Sequence, residues 1–153
     1  MIYLACLLIG VVAGLRAFMA PAAVSWAASL GGVDLSNSWL AFLGYRWTPW
    51  IISVLAVVEL VTDQLPSTPS RKVPPQFGAR VVMGAVSGAA IATPSGSWGI
   101  GALVGVLGAV AGTFGGAAAR AGMATKFGKD RPAALIEDLA AIVAAGAVVG
   151  LMP

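Results

Sequence analysis

The chain contains no histidine, one cysteine and very little charge: only 10% of its 153 residues are Asp, Glu, Lys or Arg, against about 25% in ordinary soluble domains. Each shortage excludes something. A lone cysteine, Cys6, cannot form an internal disulfide, and without histidine no Cys/His metal cluster can be built. The N-terminus lacks a basic leader followed by a small-residue cleavage site, so its apolar run reads as a retained span. The basic residues are split between short loops and flank no aromatic platform, which argues against nucleic-acid binding. No motif implies a cofactor.

What is abundant is apolar. Hydrophobic residues make up 59% of the chain, with 20 glycines among them. That composition describes an all-α polytopic integral membrane protein, and the length suits one membrane domain over residues 1–153. Counted against the roughly 20 residues needed to cross the hydrocarbon, the apolar stretches give about five transmembrane helices: 2–29, 48–64, 77–93, 97–121 and 132–151. The first is long, and Pro21 inside it removes a backbone donor, so this helix should be kinked or broken, with a carbonyl freed near Ala17.

Loop charge sets the expected direction. Arg71 and Lys72 lie between the second and third spans, with Arg80 just inside the third, and Lys126, Lys129 and Arg131 between the fourth and fifth, with Arg120 at the end of the fourth, while the opposite loops hold only Arg46. The positive-inside rule then puts the N-terminus inside and the C-terminus outside, in a cell (inner, cytoplasmic) membrane. Trp26, Trp39, Trp47, Trp50 and Trp98 fall at the other ends of the spans, where indole favours the headgroup boundary. The segment 31–46 should include a short interfacial helix with Trp39 and Phe42 turned to the membrane. "LPSTPSRKVPPQ" should be extended, and Asp130 should cap the last helix with Pro132 in its first turn.

Two patterns concern packing. Gly101, Gly105, Gly108, Gly112 and Gly115 share one helical face, which permits close backbone approach, either within the chain or between copies of a homo-oligomer. "GLRAFMAPAAV" and "GARVVMGAVSG" share G-x-R-x-x-M, the trace a weak internal repeat would leave. With both helices running inside to outside, the copies would be parallel.

The charges that remain within the apolar stretches are the candidate site. Glu59 and Asp63 lie one turn apart near a helix C-terminus, where the dipole disfavours them. Arg80 is misplaced in the opposite sense, in the first turn of its span, and the two misplacements make sense if these groups face each other. Glu137 and Asp138 lie in an alanine-rich span with little apolar surplus to offset them, since a central acid costs about 3 kcal/mol on an insertion scale. Arg80 and Arg16 are their available partners. Arg16 is the deepest charge of all. Together these six residues, Arg16, Glu59, Asp63, Arg80, Glu137 and Asp138, are expected to form a buried polar cluster in the cytoplasmic half, binding a small ion or charged solute. Register-fixing salt bridges are the blander alternative.

The motifs "GLRAFMAPAAV", "ELVTDQLPSTPSRKVPPQFGARVVMGAVSGA" and "RPAALIEDLAAI" resemble, in order and over nearly the whole chain, the bacterial membrane-protein family known as domain of unknown function 4126. Its pattern G-L-R-A-F, E-x-x-x-D-K-x-P, E-D-x-x-A falls on Gly14 to Phe18, Glu59 to Pro66 and Glu137 to Ala141, with Gln64 where the family has lysine. The resemblance implies a shared site but no activity. Three functions follow from the residues: a transporter or channel, with proton coupling through the acids; an enzyme acting on lipid headgroups, its paired carboxylates holding Mg²⁺; or a non-catalytic assembly factor using its glycine face.

Overall fold

A computed structural model describes residues 1–65 and 70–151. Six α-helices and no strand occur among them: α1 (Ile2–Leu15), α2 (Met19–Ser29), α3 (Thr48–Thr62), α4 (Pro74–Ala92), α5 (Trp98–Phe127) and α6 (Asp130–Gly150). Three stretches are long and apolar enough to cross a membrane, Pro74–Ser95, Trp98–Phe127 and Asp130–Gly150, whereas α1 and α3 are shorter apolar helices. This is an all-α membrane protein.

The centre of the fold is a tight packing of α1, α4 and α5, made possible by glycine. A Cβ on Gly105 would run into the carbonyl of Gly84 on α4, and one on Gly112 into the carbonyl of Val11 on α1. Gly101 and Gly108 are closed in the same way, by Gly88 and by Leu7. Close backbone approach of this kind is how helices associate where the solvent is itself apolar. Four of the five stripe glycines therefore serve packing within the chain, and Gly115 faces open space.

The same contacts give the direction of each helix. Cys6 donates to the Gly88 carbonyl and Arg80 to the carbonyls of Gly14 and Leu15, so α1 and α4 are antiparallel. Gly84 meets Gly105 while Gly88 meets Gly101, which makes α4 and α5 antiparallel as well. Trp26 lies against Trp50 and Phe18 against Glu59, so α2 and α3 also run oppositely. Arg120 meets Asp130, reversing the chain again between α5 and α6. All six helices alternate, so both termini lie at one end of the bundle, the end that carries the tryptophans.

The long first stretch is broken, as a kinked or broken first helix was expected, and its two halves run oppositely. Residues 2–29 form a helical hairpin. The turn falls at Arg16, whose backbone is extended (φ −142°, ψ 112°). Pro21 is not the cause: it sits in the first turn of α2, where its missing N–H is no loss. The hairpin tip is only part-way down the bundle. Thr113 reaches the Gly14 carbonyl, and α5 continues to Phe127, about 20 Å further at 1.5 Å per residue. Both termini share one end of the bundle, whereas the expected N-terminus inside and C-terminus outside would place them at opposite ends. The G-x-R-x-x-M copies also differ, since Arg16 lies between helices and Arg80 within one; of the two helices around Arg16, α1 opposes α4 and α2 runs parallel with it.

Smaller differences have local reasons. The segment 31–46 forms a short 3-10 turn, Ala41–Gly44, in place of an interfacial helix. Leu40 and Leu43 are buried there, and Trp39 and Phe42 point out of the fold. Trp39 packs edge-on against Trp98 at 6.0 Å. The expected extended loop is helical from Pro74, because two prolines suit a first turn; residues 66–69, which include Pro66 of the family motif, lie outside the described residues. Asp130 is not the cap of α6. Lys129 holds that position and Asp130 begins the helix, its carboxylate drawn to Arg120.

Candidate functional site

The hairpin tip creates a local problem and solves it with charge. Ending α1 at Leu15 leaves carbonyls without intrahelical partners, and starting α2 at Met19 leaves N–H groups likewise bare. Buried unsatisfied, each would cost several kcal/mol in an apolar medium. The Arg80 Nη1 donates to the carbonyls of Gly14 (3.0 Å) and Leu15 (2.6 Å). Across the break, the Glu59 carboxylate accepts from the N–H of Ala17 (2.7 Å) and of Phe18 (2.9 Å). A cation therefore meets the negative end of α1, and an anion meets the positive end of α2. The misplacement of Glu59 on its own helix is explained by its fit to another.

Arg16, fully buried between the two helices, extends away from this backbone knot. Its Nη1 pairs with Asp63 and its Nε donates to Asp138 Oδ1 at 2.7 Å. In place of the carbonyl expected near Ala17, its company is two carboxylates, from the C-terminal cap of α3 and from α6. Arg80 Nη2 lies 3.7 Å from Glu59 and 3.6 Å from Asp63. Arg80 sits near the end of the second turn of α4, deeper than the expected first turn, because the helix begins at Pro74. All six residues singled out from the sequence thus gather at one level of the bundle.

They do not pair as expected throughout. Glu137 is held by Arg71, which donates from both Nη atoms, the Nη2 bond being 2.7 Å, and by Arg120 at 3.7 Å. Arg71 is 9% exposed, a buried residue, although its sequence position reads as a loop charge marking sidedness. Arg120 was missed for the same reason. One signal pointed towards them: Glu137 and Asp138 are adjacent on a helix, so they project about 100° apart and need separate partners. Gln64, in the place of the family lysine, donates to Asp138 at 3.3 Å. The cation beside Asp63 is supplied by Arg16 and Arg80 instead.

Below the hairpin tip, towards the loop-rich end, a cleft of about 740 Å³ opens between the end of α3, α4, the last turns of α5 and the start of α6. Its walls include Asp63, Arg71, Arg80, Arg120 and Asp130. The buried cluster therefore adjoins this cleft on one side and the hairpin on the other. No set of three or more His, Cys, Asp or Glu side chains is grouped to hold a metal ion among the described residues.

A helical membrane bundle with a broken hairpin closing over a charged cleft is the class this fold and site define. The chain belongs to the family described as Domain of unknown function (DUF4126), whose model matches residues 3–151. No curated protein and no solved structure matches it.

Proposed function

We propose that this protein is a small integral membrane transporter or channel, in which a small ion or charged solute reaches the α1–α2 junction through the cleft. The broken helix carries this reading. Non-helical backbone at membrane depth is tolerated where protein or a water-filled cavity covers it, and opposed half-helix ends beside a charged cluster are how secondary transporters build a binding site. Structural salt bridges alone would not require a helix to break at its most buried arginine.

The topology we propose has α3 to α6 crossing and α1–α2 entering as a re-entrant hairpin. The end bearing Arg71, Lys72, Lys126, Lys129 and Arg131 faces the cytoplasm, and the tryptophan end, with both termini, faces outward. In a bacterial cell this is the inner membrane. Glu59, Asp63, Glu137 and Asp138 are the groups through which proton coupling would run, as a linked set rather than singly. Association of copies would use the exposed apolar face of α3 (Trp50, Val54, Val57 and Val61), since most of the glycine face is covered within the chain. The lipid-headgroup enzyme gains less support, because its carboxylates are already held by arginines or backbone N–H groups.

Purified protein in liposomes tests the reading. Ion, proton or charged-solute flux should appear with the wild type and fall with Glu59→Gln and Glu137→Gln. Liposomes that move nothing, or variants that move solute as fast as the wild type, would overturn it.

A further inference from the structure

We propose that the solute bound in the cleft is an oxyanion of the phosphate class, held by Lys129 and Arg131, which the buried ion-pair network does not consume, and by the one N–H of Arg80 that this network leaves unpaired. The inference deepens the transport reading and rests on it for its physiological meaning, though binding itself is independent of flux.

The cleft walls carry five cationic side chains, Arg71, Arg80, Arg120, Lys129 and Arg131, against two carboxylates, Asp63 and Asp130. Those two acids are already occupied, Asp63 by Arg16 and Asp130 by Arg120. Arg71 is spent on Glu137. What remains open is cationic. Lys129 and Arg131, both exposed, make no ion pair among the described residues. Arg80 is the second, independent observation. It lines the cleft, is 1% exposed, and its Nε–H has no acceptor among the described residues. A buried guanidinium N–H left without a partner is costly, and a solute entering beside this side chain would bring an acceptor to it.

An oxyanion fits these groups better than a cation. A metal or proton would have to displace an arginine from a carboxylate, whereas an anion adds to donors that are free. Guanidinium groups and oxygen-rich phosphate or sulfate match in geometry as well as charge. Lys129 and Arg131 at the open side would raise the local anion concentration and guide it inwards. The space exceeds one bare phosphate, so a phosphate ester or a lipid headgroup phosphate is accommodated equally.

The full chain in non-ionic detergent is titrated with inorganic phosphate and, separately, with short-chain phosphatidylglycerol, using calorimetry. The variants are Lys129→Gln/Arg131→Gln and the charge-keeping Lys129→Arg/Arg131→Lys. Both positions are exposed, and thermal melting checks that the fold is unchanged. Saturable phosphate binding that weakens about tenfold in the neutral variant and is kept in the charge-keeping one supports a free phosphate or phosphate ester. The same dependence for phosphatidylglycerol alone supports the headgroup as the source. If neither ligand binds saturably, or both bind the neutral variant as tightly as the wild type, the inference fails. Sodium or proton flux without phosphate binding would sink this inference alone, and phosphate binding without flux would sink only the transport reading.

Discussion

Two regions of the bundle are held together in opposite ways. Where α1, α4 and α5 cross, side chains have almost been eliminated, and backbone meets backbone through Gly84, Gly105 and Gly112. At the hairpin tip, one helical turn or so away, long charged side chains fill the space instead, and Arg16 and Arg80 reach from one helix into the ends and acids of others. The first region derives stability from shape alone, with little polarity to satisfy. The second gains little net stability from burying charge, because desolvation offsets most of the attraction. Its charges hold a conformation that the backbone could not otherwise adopt, a helix broken inside an apolar bundle. A rigid scaffold beside a polar break is the division of labour that the proposed binding site would use.

Substitutions that exchange the two strategies should have effects of very different size. Gly105→Leu puts a large side chain against the backbone of α4, which cannot yield as a side chain would. A loss of about 4 kcal/mol or more is expected, seen as failure to recover monodisperse protein. Normal yield and melting would mean that the glycine contact is not what sets helix spacing. Arg16→Met, which leaves Asp63 and Asp138 without their shared cation, should cost about 3 kcal/mol, measured by unfolding in mixed micelles. Retained stability there would show the junction to be wetter than its burial implies.

Glu59→Gln keeps one acceptor for the Ala17 and Phe18 N–H groups but removes the charge. About 2 kcal/mol is expected, with faster amide exchange confined to the start of α2. Uniform exchange across the bundle would argue against a local capping role. Last comes Gly115→Ala. This glycine faces open space, so the change should stabilise α5 by up to about 1 kcal/mol through helix propensity alone. A destabilisation of the size seen at Gly105 would mean that a second copy covers this face.

The six charged candidates were legible because charge in apolar sequence is costly enough to need a reason. Arg71 and Arg120 were not. Arg71 sits beside Lys72 in a short loop and Arg120 at the end of an apolar stretch, and nothing in their spacing separates a partner of Glu137 from a marker of sidedness. The glycine stripe could be read as a contact face, but not what it contacts. Packing on α1 and α4 and packing on another copy require the same spacing.

The amino-acid sequence alone determined the solvent this protein lives in, its helical class, the stretches that are apolar enough to span, and which charges had to be buried together. All of these follow from the cost of exposing apolar surface or burying charge, which depends on composition and local spacing. The tertiary structure alone decided that the first apolar run turns back at Arg16, that both termini share one end, and that free cations line the cleft. A run of that length satisfies the same hydrophobic requirement as one tilted helix or as two short ones. Only contacts between distant segments, Arg80 on the end of α1 and Glu59 on the start of α2, make the break lower in free energy than a continuous helix.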